Sequence, residues 1–332
     1  MPPPQTRAAI VGIAGPALTP GEAALFRAHP PAGIILFRRN IQDQAQLRLL
    51  TAALRAVLPR DAVLMLDQEG GRVARLRPPH WAAHPPCGAI GALPPARALR
   101  AAWLQGAVIG HQCAQAGFDT VCAPVLDRRL PGASDVIGDR AFAESPELVA
   151  RLARAMAAGL LAAGVQPVGK HAPGHGRASV DSHLALPTVT ANDLDADLLP
   201  FAANPDLPWL MTAHILYPAW DPTRPATLSP AIIQQLIRGR IAFQGVLVSD
   251  DLAMHALEGP PEARATAALE AGCDLALYCP GDPEGTQAVL SAVPPLTQAT
   301  TARLAAARAT AAQRAIPLDA PALAAERAAL LA

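Results

Sequence analysis

The 332-residue chain contains a single lysine, Lys170; every other basic side chain is arginine. Basic and acidic residues balance at 27 each, and no run of like charge offers the electrostatic footprint that nucleic acid or an anionic membrane surface requires. Small neutral partners are the expectation. The five cysteines, Cys87, Cys113, Cys122, Cys273 and Cys279, are odd in number and show no CxxC spacing, so neither a disulfide framework nor a zinc knuckle is signalled. Reduced thiols in a cytoplasmic protein fit that pattern. No apolar stretch reaches the ~20 residues that a membrane helix needs. The segment RAAIVGIAGPAL imitates a secretory leader, with Arg7 ahead of an apolar run, but no small-residue cleavage site follows it, and cytoplasmic localisation remains the expectation. Scarce lysine beside abundant alanine and arginine reads as a genome-wide coding bias, which makes the one exception informative.

What the chain does have is apolar bulk: 51% hydrophobic residues, ample for one large core and short for two domains of usual size. Eight short apolar runs have the character of strands: residues 8–15, 33–37, 62–67, 119–127, 166–172, 209–215, 245–251 and 274–279. Longer stretches of helical period separate them, among them QAQLRLLTAALRAVL, the segment from Ala96 to Gly117, SPELVARLARAMAAGLLAAG and SPAIIQQLIRGRIAF. In the last two, Ser145 and Ser229 precede a proline and read as N-cap and first helical position. Continuous rather than alternating apolarity suits a parallel sheet buried on both faces. Eight strand–helix units therefore predict a single-domain α/β fold, a TIM (β/α)8 barrel over residues 1–332, with Ala-rich helices from about 300 to 332 packing on it; an open doubly wound sheet is the alternative. The barrel is favoured because Asp67, Asp127, Lys170, His171, His214, Asp250 and Asp251 all fall at or near C-terminal strand ends, which a barrel gathers on one face. The Pro-rich stretch from Pro78 to Pro95 is expected to be a surface excursion after the third strand.

Three segments carry the chemistry. In LMLDQEGGRVARL, a strand delivers Asp67 and Glu69 beside the pair Gly70 and Gly71, followed by Arg72 and Arg75; carboxylate and guanidinium at a loop mouth can grip sugar hydroxyls, or merely pair with one another. The segment lacks the GxGxxG order of a dinucleotide loop and the lysine of a phosphate-binding loop. In GKHAPGHGRASVDSH, Pro173 and Gly174 separate His171 from His175, so their spacing does not put two zinc ligands on one helix face. The segment ends with Asp181 and His183; a carboxylate that accepts from one imidazole nitrogen leaves the other as a proton carrier, although an isolated DxH is more often a capped surface turn. In GVLVSDDLAMHAL, adjacent aspartates close a strand, one suited to be a nucleophile and the other turned into the protein or solvent, unless Ser249 or Asp250 only caps the next helix. Arg140, in VIGDRAF, is either a substrate clamp or a surface arginine.

Taken in order, GIILFRRN, LDQEGGRVARL, APVLD, VIGDRAF, GKHAPGHG, VDSH and GVLVSDDLAM resemble the glycoside hydrolase family 3 β-N-acetylhexosaminidases of bacterial peptidoglycan recycling, over nearly the whole chain. The resemblance implies Asp250 as the nucleophile that forms a glycosyl-enzyme intermediate, His183 as general acid and base, and Asp181 as its orienting carboxylate. It implies Asp67, Arg75, Arg140, Lys170 and His171 as contacts to the terminal sugar. A histidine acid and base departs from the pair of carboxyl groups that retaining glycosidases usually employ, and its pKa near 6.5 suits neutral pH without special burial. The implied reaction is removal of terminal β-linked N-acetylglucosamine with retention, from cytoplasmic muropeptide fragments, by a monomer or weak homo-oligomer that needs no metal and no organic cofactor. Two rivals remain: a phosphorylase on the same fold, which phosphate dependence would reveal, and a non-catalytic sugar-binding barrel. A zinc hydrolase using His171, His175 and His183 is the weakest reading.

Overall fold

The computed structural model describes residues 4–191 and 193–332. Eight parallel strands close into a barrel: β1 (Arg7–Val11), β2 (Pro31–Leu36), β3 (Val63–Leu66), β4 (Thr120–Val121), β5 (Gln166–Ala172), β6 (Trp209–Thr212), β7 (Val246–Asp251) and β8 (Leu275–Tyr278), with β8 pairing back onto β1. The doubly wound alternative is thereby excluded. Each strand is followed by a helix, Pro20–Ala28, Gln44–Val57, Pro95–Gln115, Pro146–Ala162, Asp195–Ala202, Ile232–Arg240, Pro261–Ala271 and Pro283–Ala292 in turn.

Two apolar layers hold the barrel. Alternate strand residues, among them Ile10, Ile35, Val63, Met65, Val168, Trp209, Met211 and Val248, fill the interior, and Leu304 and Ala307 of the helix Gln298–Arg314 close it from the N-terminal end. The opposite strand faces pack on the surrounding helices through residues such as Leu36, Leu54, Ile109 and Leu152. Burial of both faces explains why the strands read as continuous apolar runs. The last helix, Ala320–Leu331, lies on Pro95–Gln115, where Glu326 takes both nitrogens of an Arg100 fork at 2.7 Å.

Several boundaries differ from the sequence reading. The run 119–127 yields only two strand residues because the Ala123 N–H turns back onto the Val121 carbonyl, 2.8 Å away; beyond it the carbonyls of Ala123 and Pro124 still accept from Val168 and Lys170, and Val125 bridges Lys170. His214, expected inside the sixth strand, lies beyond its end. The Ser145 hydroxyl caps its helix as expected, accepting from the Leu148 N–H, and Ser229 Oγ accepts from the Ile232 N–H, but the helix that follows Ser229 is wound as a π-helix over nine residues. So short an element cannot separate the two periods by apolar spacing alone. The Pro78–Pro95 excursion is only partly superficial: it carries the turn Cys87–Gly91 and buries His84, Cys87 and Ile90.

Candidate active site

At the end of β3 the chain makes a tight return. Gln68 is fully buried and ties it together: its Oε1 accepts from the N–H groups of Arg75 and Leu76, and its amide donates to the Leu76 carbonyl. This return places Arg75 Nη2 3.0 Å from Asp67 Oδ2. Gly70 and Gly71 occupy the left-handed region, φ +107° and +55°, and a Cβ on Gly70 would stand 2.4 Å from the Pro85 carbonyl oxygen. No other residue fits that corner.

Four charged side chains interlock above the barrel. Lys170 Nζ lies 2.7 Å from Asp67 Oδ1 and 2.6 Å from Glu69 Oε1, and Arg140 grips Glu69 with both nitrogens at 2.8 and 2.9 Å. Burial alone would push both carboxyls up. The cations overcome it: Lys170 and Arg75 hold Asp67 well below the usual carboxylate range, and Arg140 and Lys170 lower Glu69 from its ordinary value. Burial would likewise lower Lys170, but the two carboxylates raise it above its ordinary value. The cluster is a fixed set of donors and acceptors that stays ionised at neutral pH.

Beyond β4, Asp127 is a hub for the end of β5. Its carboxylate accepts from the backbone N–H of His171 at 3.3 Å and of His175 at 2.6 Å, and its Oδ2 is 2.7 Å from His171 Nδ1. That fixes the His171 ring and leaves its Nε2 facing outward, 3.5 Å from Arg140 Nη2. The His175 ring packs edge-on against His171 with centroids 5.6 Å apart, and burial, aided by the neighbouring His171, pulls its pKa down to about 4.

The adjacent aspartates of β7 part company. Asp251 turns into the rim, where Oδ1 accepts from the N–H groups of Ala253 and Cys279, both at 3.0 Å; burial raises its pKa. Asp250 accepts, among the described residues, only the Asp251 N–H, at 2.8 Å, and both aspartates line the central cavity. Burial pushes its carboxyl up, yet His171, His214 and that N–H outweigh burial and keep it below the usual range. His214 is held beneath by Thr227 Oγ1 at 2.8 Å and the Asp251 carbonyl at 2.9 Å.

Over the cavity runs the loop after β5. Asp181 Oδ1 accepts from His183 N at 2.9 Å and stands 2.7 Å from His183 Nδ1, while the His183 side chain is 63% exposed. One cavity is lined by Asp67, Arg75, Arg140, Lys170, His171, His175, Ser182, His183 and Asp250, with Phe37, Met211 and Met254 as apolar wall. An ionised carboxylate, an imidazole oriented by a second carboxylate and a ladder of charged hydrogen-bonding groups thus share one hollow at the C-terminal face of the strands.

Residues 19–312 match the glycosyl hydrolase family 3 N-terminal domain. The chain belongs to glycoside hydrolase family 3. It is 43% identical over 296 residues to the β-hexosaminidase of Alkalilimnicola ehrlichii, covering 86% of this chain and 84% of the relative, and 42% identical over 304 residues to that of Methylococcus capsulatus, covering 89% of each. Its fold is similar to NagZ of Neisseria gonorrhoeae in complex with N-trifluoroacetyl-D-glucosamine, with a TM-score of 0.87, 33% identity and full coverage of both chains. It also resembles a family 3 β-N-acetylglucosaminidase of Paenibacillus, with a TM-score of 0.82 and 34% identity over 94% of this chain and 62% of that one. The protein is a glycoside hydrolase.

Seven of the eight sequence-predicted site residues of this family 3 barrel, Asp67, Arg75, Arg140, Lys170, His171, His183 and Asp250, line the one cavity, and Asp181 stands behind His183. The resemblance did not carry Glu69, Asp127, His175, Ser182 or His214 into the site, although Glu69 stood beside Asp67 as a candidate sugar-gripping carboxylate and His175 entered the zinc reading. Asp127 and His214 were visible as polar residues at strand ends; Ser182 carried no signal of its own. Of the three histidines of the zinc reading, His171 directs Nδ1 to Asp127, His175 directs Nε2 to Ser182 and His183 directs Nδ1 to Asp181, and among the described residues no group of three or more His, Cys, Asp or Glu is arranged to hold a metal ion.

Proposed function

We propose that this family 3 hydrolase is a retaining exo-β-N-acetylglucosaminidase acting by double displacement. The observation that carries the reading is that Asp250 and His183 line the same cavity as the charged ladder of Asp67, Lys170 and Arg140. Asp67, Arg75, Arg140, Lys170 and His171 hold the hydroxyls of the terminal sugar. An Asp250 oxygen attacks the anomeric carbon while the glycosidic bond breaks and His183 Nε2 passes its proton to the departing oxygen. Nε2 then takes a proton from water, whose oxygen bonds to the anomeric carbon and frees Asp250. Asp181 fixes the ring so that Nδ1–H stays on the carboxylate side and stabilises the imidazolium.

The β-hexosaminidase names of the relatives and the glucosamine derivative bound by the gonococcal NagZ support N-acetylglucosamine as the sugar. The natural substrates we infer are muropeptide fragments carrying N-acetylglucosamine on anhydro-N-acetylmuramic acid, met in the cytoplasm during peptidoglycan recycling. The chain works as a single barrel domain, monomeric or weakly associating. Among the described residues no helix is long and apolar enough to cross a membrane.

The test follows nitrophenolate release from p-nitrophenyl N-acetyl-β-glucosaminide, with and without phosphate, for the wild type and Asp250→Ala. Phosphate-independent release of free β-sugar, lost in the variant, is the expected result. Sugar phosphate as product would instead assign a phosphorylase, and inertness toward this glycoside and the matching glucoside would leave a sugar-binding barrel.

A further inference from the structure

We propose that His175 and Ser182 are positioning residues whose mutual hydrogen bond seats the Asp181–His183 pair over the sugar site. The proposal rests on the reading of His183 as acid and base. Between Ala178 and Pro187 every side chain is exposed or half-exposed except that of Ser182, which is 2% exposed. Ser182 is therefore the one point at which this stretch is sunk into the protein. Its Oγ lies 3.0 Å from His175 Nε2.

His175 is itself held by the sugar site. Its N–H donates to Asp127 Oδ1 at 2.6 Å, the same carboxylate orients His171, and its ring packs on that of His171. A continuous path thus runs from Asp127 through His175 and Ser182 to the turn that carries Asp181 and His183. Among the described residues the second ring nitrogen, His175 Nδ1, is buried without a partner, and Ser182 supplies the one hydrogen bond that orients this ring. The ring stays neutral through the neutral range, because burial draws its pKa down to about 4, and the contact does not titrate where the enzyme would work. The arrangement predicts that removing the Ser182 hydroxyl impairs proton transfer to the leaving group and leaves sugar recognition intact.

Leaving groups of different basicity separate these effects, since a dinitrophenolate departs without a proton whereas a phenolate needs one. For Ser182→Ala, kcat/KM toward the phenyl glycoside should fall about tenfold, the size expected for one lost hydrogen bond, with less than about a twofold change for the dinitrophenyl glycoside. With the dinitrophenyl glycoside, where breakdown of the glycosyl-enzyme limits turnover, azide, which attacks that intermediate without a base, should restore kcat and give glycosyl azide. Ser182→Thr should recover the phenyl activity, and His175→Phe, which keeps a ring against His171, should reproduce Ser182→Ala. Equal losses on both glycosides, or no loss on either, would overturn the proposal. His183→Ala is run beside them: if it shows no leaving-group dependence, the acid and base assignment fails, whereas if it does and Ser182→Ala does not, only the positioning role fails.

Discussion

Lys170 Nζ and Glu69 Oε1 stand 2.6 Å apart with both side chains 2% exposed, and the same ammonium reaches Asp67 at 2.7 Å. The only lysine in the chain is therefore a buried bridge between two carboxylates, a place where a compact ammonium and a planar guanidinium are not interchangeable.

Lys170→Met leaves two buried carboxylates with one cation fewer. Loss of one partner from a buried pair costs about 3–5 kcal/mol, so a lowered Tm and loss of N-acetylglucosamine binding are expected together. Lys170→Arg should also fail to bind, because the larger fork displaces Asp67 or Glu69. Calorimetry of unfolding and titration with the sugar check both.

Asp250 and Asp251 should separate by phenotype. Asp250→Ala removes the proposed nucleophile but only one hydrogen bond, so turnover should drop by at least about 10⁴-fold on the usual scale of a lost nucleophile, with Tm nearly unchanged. Asp251→Ala deprives the N–H groups of Ala253 and Cys279 of their acceptor and should lower stability by about 1–3 kcal/mol. Parallel thermal melts and aryl glycoside assays would expose an inverted assignment.

Asp181→Asn preserves shape but cannot favour Nδ1–H as a carboxylate does. The ring can then settle in the wrong tautomer, and kcat toward a phenyl glycoside should fall by about 10²-fold or more, within the range ascribed to general acid–base catalysis. Melting should be nearly unaffected, since the His183 side chain is exposed and that of Asp181 partly so. A variant with full activity would remove Asp181 from the mechanism.

Stability should decline in acid from two buried histidines. Burial lowers the pKa of His84 and of His175 to about 4, below the unfolded value of about 6.5. Between these values the unfolded chain binds more protons than the native one, so stability is complete above pH ~6.5 and is lost as the pH falls toward ~4. Replacing His84 by Gln should flatten the fall of Tm between these limits, and an unchanged slope would show that His84 does not contribute.

The barrel was legible because its strands are buried on both faces and so read as eight apolar runs, each followed by a helical stretch. Strand limits were less so: backbone pairing decides them, and the Ala123 N–H turns back onto Val121 inside a run that stays apolar. Asp67, Lys170, His171 and Asp250 were legible because strand ends collect on one barrel face. Arg75, Arg140, His183 and Asp181 lie on loops and were drawn in through the motif resemblance.

By itself, then, the sequence determined that a parallel barrel would form and which strand ends would bear charge, because both follow from local apolar period and position in the chain. Only the tertiary structure decided which charges meet. Glu69 finds Arg140 from 71 residues away and Asp127 finds His171 from 44. Asp250 accepts the Asp251 N–H while Asp251 Oδ1 is taken by the N–H groups of Ala253 and Cys279, although the two are neighbours in sequence with the same side chain. Hydrogen-bond partners distinguish them, and these exist only once the barrel has closed.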